Sequence, residues 1–266
     1  MDWALIPAFI ALGCLVGFLA GLLGIGGGMT MVPLLTLAFA HQGFAPEHVV
    51  HMAIATGIAA TVPTSLSSIR AHHAHGAVLW PVWRILVPGI ALGSLVGPQI
   101  VQGMSSGLLA GIFGVVVTLA ATQMLIDHKP KITRDLPGKW GLSGVGVGIG
   151  LISSMFGAGG GFVSVPFMTW CNIKIHNAVA TSAALGLPIA VAGTIGFVIA
   201  GLRETDVPRY SVGYIYLPAL FAIAVGSVLL APVGARLAHR WPVKKLRRAF
   251  ACLLYVLAAV MVWRAA

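Results

Sequence analysis

The chain has 266 residues, 58% of them hydrophobic and 8% charged, with a net charge of +10. Its mean hydropathy of +0.97 excludes an ordinary soluble domain and indicates an integral membrane protein in the lipid bilayer. The basic residues lie between apolar runs, where membrane topology accounts for them, so no nucleic-acid partner is expected.

Ten apolar segments follow one another, over 3–23, 29–40, 48–69, 84–101, 106–126, 140–156, 162–171, 177–200, 212–235 and 246–264. The first is preceded by no positively charged region, so no cleaved signal peptide is expected. It ends in Gly24-Ile25-Gly26-Gly27-Gly28, followed by Met29-Thr30-Met31-Val32-Pro33. After 133 positions comes Gly157-Ala158-Gly159-Gly160-Gly161, followed by Phe162-Val163-Ser164-Val165-Pro166. A spanning helix needs about 20 residues. The segments 29–40 and 162–171 are shorter, so each forms a bent hairpin with the segment before it, its apex inside the membrane. Non-helical backbone at that depth survives only where protein buries it or a polar cavity borders it. Gly-interrupted segments at matching places in two halves point to a transporter's substrate site.

Alternating the segments across the bilayer puts loops 70–84, 127–139, 171–177 and 236–248 on one side, with 13 of the 16 Lys and Arg residues. The positive-inside rule makes that side cytoplasmic and both termini external. Each half has an odd number of segments, so the second starts on the opposite side from the first. The expected fold is an all-α polytopic bundle of two inverted-topology repeats, 1–126 and 140–266, joined by a cytoplasmic linker at 127–139. Over 17–34 against 150–167, seven of 18 positions are identical. Ala55-Thr56 and Pro63 match Ala180-Thr181 and Pro188 in a second register, and Gly93-Ser94 matches Gly226-Ser227.

A helix that starts after a glycine break presents unpaired N–H groups and the positive end of its dipole. Glycines let a ligand reach that backbone, so each break is an anion site in form. The candidate site is Gly24, Gly26, Gly27, Gly28, Met29, Thr30 and Thr56 in the first half. In the second half it is Gly157, Gly159, Gly160, Gly161, Phe162, Ser164, Thr181 and Ser182. All six acidic residues (Asp2, Glu47, Asp127, Asp135, Glu204, Asp206) fall at ends or in loops, which argues against a carboxylate proton relay or cation pathway. His72, His73 and His75 gather with Arg70 in what reads as a polar cytoplasmic loop. His51 and His176, near segment ends, read as interfacial, though either can carry a proton with an anion. Trp3, Trp80, Trp83, Trp140, Trp241 and Trp263 read as an interfacial belt. Cys14, Cys171 and Cys252 read as small buried hydrophobes. No metal or cofactor is expected.

The paired signatures GLLGIGGGMTMVPLL (21–35) and SSMFGAGGGFVSVPFM (153–168), each followed by Ala-Thr, resemble those of the sulfite exporter TauE/SafE family of membrane permeases. The resemblance covers essentially the whole chain. It implies transport of a small sulfur-containing or organic anion such as sulfite, a sulfonate or sulfoacetate. Thr181-Ser182 resembles the family's Thr-Ser pair; the first half has Thr56-Gly57, one hydroxyl fewer. The expected location is the bacterial inner membrane, and the reading is compatible with a homodimer. Two other readings stay open: an anion channel with the same local chemistry, and an intramembrane serine hydrolase, from Gly141-Leu142-Ser143-Gly144 with His176 as base.

Overall fold

A computed structural model describes residues 5–23, 27–74, 76–126, 136–157, 159–204, 206–238 and 243–265. These form ten helices: α1 (Ile6–Leu23), α2 (Gly28–His41), α3 (Val49–Ala74), α4 (Trp80–Gln102), α5 (Ser106–Ile126), α6 (Lys139–Met155), α7 (Gly161–Trp170), α8 (Ile175–Gly201), α9 (Leu217–Ala238) and α10 (Val243–Ala265). A short antiparallel hairpin, β1 (Ser211–Val212) and β2 (Ile215–Tyr216), precedes α9. Five helices, α3, α4, α5, α8 and most of α9, are long and apolar enough to cross a membrane. The chain is a multi-pass helical membrane protein.

Helices α3 and α8 pack on each other at the centre. In its most apolar window α3 is 83% buried, against 39% for α5, so α3 is an interior helix and α5 a lipid-facing one. Around this pair, α1 lies along α9, α4 along α6 and α5 along α10. Glycine sets how closely the first two pairs approach. A Cβ at Gly13 or Gly17 of α1 would run into the backbone of Ile223 or Ser227 of α9. A Cβ at Gly89 or Gly93 of α4 would meet the carbonyls of Ser143 or Val147 of α6. Helices in lipid gain nothing from apolar burial against one another, so backbone contact of this kind is what fastens them.

The short helices fall where the glycine breaks place them. With 14 and ten residues, α2 and α7 rise about 21 and 15 Å, less than the ~30 Å hydrocarbon core. Each starts after a left-handed glycine and ends in a Schellman turn. Gly43, at φ +74°, closes α2, and Asn172, at φ +62°, closes α7.

Proline-broken helices leave carbonyls without their usual donor, and neighbouring helices supply one. Pro188 frees the Ala184 carbonyl, which accepts the Trp83 indole N–H at 3.1 Å. Pro232 frees the Val228 carbonyl, which accepts Ser67 Oγ–H at 3.2 Å.

Four expectations differ from the structure. Helix α3 runs to Ala74, so Arg70, His72 and His73 lie in its last turns and not in a loop; His75 is outside the described residues. Nothing in that stretch breaks a helix until Gly76, at φ +62°, ends it in another Schellman turn. The segment expected to be helical from 212 begins as the hairpin, because Gly213 (φ +56°) and Tyr210 (φ +69°) are left-handed. Trp83 anchors α4 to α8 inside the bundle and meets Trp80 edge to face, with ring centroids 5.4 Å apart. Trp140 and Trp263 are exposed, as a belt requires; Trp3 and Trp241 are outside the described residues. Cys252 is exposed and not buried, on a lipid-facing side of α10, while Cys14 and Cys171 are half-buried.

The glycine contacts give a direct test. Gly13→Val should lower the melting temperature in detergent by several degrees, since overpacking a tight contact costs about 1–3 kcal/mol or more. Gly148→Val, where the added Cβ meets open space, should melt like the parent protein.

Candidate functional site

The first break turns on Gly27, at φ +67°, which caps α2; the N–H groups of Thr30 and Met31 bond to its carbonyl at 3.1 Å. The second turns on Gly160, at φ +78°, which caps α7; Val163 and Ser164 N–H bond to its carbonyl at 3.1 and 2.8 Å. Neither helix has a side-chain cap. The N–H groups of Gly28 and Met29, and of Gly161 and Phe162, come before the first intrahelical bond and are the free donors of the two helix ends. Gly24 and Gly26 lie outside the described residues. Gly157, at φ +60°, ends α6, and its missing side chain would stand 3.1 Å from Val32 of α2 and 3.4 Å from Ile54 of α3. The second break is therefore seated against the helix that follows the first.

The second break borders a narrow cavity, and the first stands behind one wall of it. Its lining is Ala20 of α1, Thr61, Thr64, Ser65 and Ser68 of α3, Gly159, and Ala183 and Gly186 of α8. The space among these residues, part of it open to the outside, is about 250 Å³, and its interior has room for roughly one water molecule. Ala20 also abuts Gly27, and Gly159 brings in the second break. No acidic residue is among the described residues that line it. Glycine, alanine and hydroxyl groups form its surface, with the second break at its edge and the first behind Ala20.

Several hydroxyls here are buried and make no hydrogen bond within the protein: Thr30 Oγ1 in the first turn of α2, Ser153 Oγ at the end of α6, and Ser68 Oγ. Ser153 Oγ lies 3.8 Å from the point where a Cβ of Gly160 would sit. An unpartnered buried hydroxyl costs about 1–3 kcal/mol, a cost that a ligand of matching chemistry offsets.

The other sequence candidates divide by task. Ser164 and Ser182 bond to each other at 2.6 Å, and Ser164 also donates to the Gly160 carbonyl. At the matching places of the first half stand Met31 and Gly57, with Met31 Sδ 3.6 Å from where a Cβ of Gly57 would be. A polar pair in one half is replaced by a large-on-small apolar pair in the other, so the site is chemically asymmetric. Thr56 Oγ1 accepts the Tyr216 N–H at 3.0 Å, immediately before α9. Thr181 Oγ1 accepts the Leu79 N–H at 2.9 Å, immediately before α4. The two threonines thus perform the same task, each fixing the start of a helix in the opposite half. Met29 is buried and Phe162 half-buried. Ser143, of the hydrolase reading, has its carbonyl packed on Gly89; His176 is an exposed residue in the first turn of α8.

Sequence reasoning missed the α3 hydroxyls, although their signal was present. Thr61, Thr64, Ser65 and Ser68 follow helical spacing along one face of an otherwise apolar helix.

The sulfite exporter TauE/SafE family model matches residues 9–261. A probable membrane transporter protein of Haemophilus influenzae is 35% identical over 254 residues, covering 95% of this chain and 96% of its own. Proteins with the same description in Methanocaldococcus jannaschii and Bacillus subtilis are each 27% identical, covering 97% and 86% of this chain and 95% and 88% of their own. No solved structure matches the chain.

The unpartnered hydroxyls separate a ligand role from a packing role. Thr30→Val and Ser153→Ala should melt at or above the parent temperature, because each removes an unsatisfied buried group. Sulfite binding, measured by calorimetry, should weaken ten- to a hundredfold for each lost bond to a charged ligand. Loss of stability with unchanged affinity would make them packing residues.

Proposed function

Because this chain belongs to the sulfite exporter TauE/SafE family, we propose that it is a secondary permease for a small sulfur-containing or organic anion, of the sulfite, sulfonate or sulfoacetate type, in the bacterial inner membrane. The observation that carries this reading is a cavity whose lining is hydroxyls, alanine and glycine with no carboxylate among them, bordered by Gly159 of the second break and separated by Ala20 from Gly27 of the first. The N–H groups of Gly28, Met29, Gly161 and Phe162 hold the charge. Thr30, Ser153, Ser65 and Ser68 supply hydroxyl donors around it.

The same reading takes the chain as two inverted repeats, 1–126 and 140–266. It is supported by the reciprocal threonine bonds and by the helix pairing, in which exchanging the halves turns α1 on α9 into α6 on α4. In such an arrangement one half rocks against the other around a fixed site. The narrow cavity favours a carrier that changes shape over an open channel.

Purified protein in liposomes should take up sulfite in a saturable way, faster when the vesicles already hold sulfite. Uptake rising linearly without saturation would indicate a channel, and no uptake of any anion in a sulfite, sulfonate and carboxylate panel would defeat the reading. Orientation has its own check. A cysteine introduced at Lys174 should be labelled only from the cytoplasm, and one at Gly103 only from outside; the reverse would overturn the topology.

A further inference from the structure

The first turn of α3 holds a second polar site, distinct from the anion cavity. His51 is buried at 2% exposure. Its Nε2 lies 3.0 Å from the Val101 carbonyl at the end of α4. A carbonyl only accepts, so Nε2 carries a hydrogen. Its Nδ1 lies 3.3 Å from Oγ of Ser106, the first residue of α5. Ser106 donates its one hydrogen to the Glu47 carbonyl at 2.6 Å, so its oxygen meets Nδ1 as an acceptor. A neutral ring would set two lone pairs against each other there, or take the hydrogen away from Glu47. A protonated ring satisfies every contact: Nε2–H to Val101, Nδ1–H to Ser106, and Ser106 O–H to Glu47.

The ring face is provided for as well. The Tyr214 ring lies over the imidazole, with centroids 5.4 Å apart and planes 26° from parallel, an arrangement that favours a cation over an aromatic face. Tyr214 O–H donates to Glu204 at 3.1 Å. Burial, together with that bond, pushes the phenol well above its usual range, so the ring stays neutral. The other titratable neighbours are His48 and Glu204. His48 is 6.3 Å from His51 between ring centroids and 3.6 Å from the Glu204 carboxylate. Glu47 offers its backbone carbonyl while its side chain is exposed.

We propose that His51 is a proton-binding site and that the permease moves its anion together with a proton held there. The coupling rests on the transporter reading above; the proton site stands on its own geometry. Helix α3 joins the two sites: His51 lies at one end, about a turn and a half before Thr56, and the cavity hydroxyls lie further along. The proton ties that end of α3 to the α4–α5 corner through Val101 and Ser106. Its loss removes the Nδ1 tie and frees the helix that lines the anion cavity.

Nitrogen-15 spectra of the full chain, histidine-labelled and in liposomes, test the site without any transport assay. The signal absent from His51→Gln identifies the residue. As the pH is lowered it should pass from one protonated ring nitrogen to two while the protein stays folded. Ser106→Ala should weaken proton affinity about tenfold or more, and Ser106→Thr should restore it. A ring that stays neutral at every pH at which the protein remains folded would overturn the site. In the flux assay, an inward proton gradient should accelerate sulfite uptake by the parent protein, and His51→Gln should lose that acceleration. Full acceleration in His51→Gln would overturn the coupling. Absence of flux in the parent would instead defeat the permease reading and leave the proton site to the spectra.

Discussion

The structure depends on left-handed backbone at two glycines. Gly27 and Gly160, at φ +67° and +78°, let one helix stop and another start inside the membrane without leaving the bundle. L side chains rarely adopt that backbone, and a Cβ would also press on neighbours: at Gly27 on Val16, and at Gly160 on the end of the Ile189 side chain. The same two residues put free N–H groups at the middle of the protein. A bulky substitution at either glycine therefore removes the fold of the break together with any ligand it holds. The unpartnered hydroxyls of Thr30 and Ser153 are the better probes of binding, because they contribute donors without shaping the turn.

Lipid supplies no hydrogen bonds, so each departure from a regular helix must be satisfied from within. The indole of Trp83 and the hydroxyl of Ser67 do this for carbonyls that prolines set free. Thr56 and Thr181 do it for the residues that lead into α9 and α4. These bonds link helices far apart in sequence, so they also fix which helices move as a body. Among them Thr56 has a further consequence. It ties α3 to the hairpin whose Tyr214 covers His51, placing the proton site and the anion cavity on one connected element.

Much of this was legible in the sequence. The ten segments, the breaks and the shortness of α2 and α7 follow from hydropathy and glycine, because lipid imposes length and glycine imposes turns. The start of α9 was not, since Val212, Ile215 and Tyr216 are as apolar as a helix turn and only Gly213 marks the hairpin. The end of α3 was misplaced because its alanines and histidines tolerate a helix until Gly76. In the site, Gly27 and Gly160 could be read directly. Thr56 and Thr181 were noticed for the right spacing, yet their partners lie 160 and 102 residues away, a relation no local pattern encodes. Ser153 was invisible as a candidate because its significance comes from standing beside Gly160 across the break. His51 was read as interfacial, with proton carriage as the alternative, because the acceptors around it come from α4, α5 and the turn before α3.

The account rests on one anion seated between two helix starts. The most direct measurement is a crystal structure with selenite, which matches sulfite in charge and shape and whose selenium is located by anomalous scattering. The account predicts one strong selenium peak within hydrogen-bonding distance of the Gly28–Met29 and Gly161–Phe162 N–H groups, beneath Ser65 and Ser68. A peak confined to the basic loops, with none at the breaks, would contradict it.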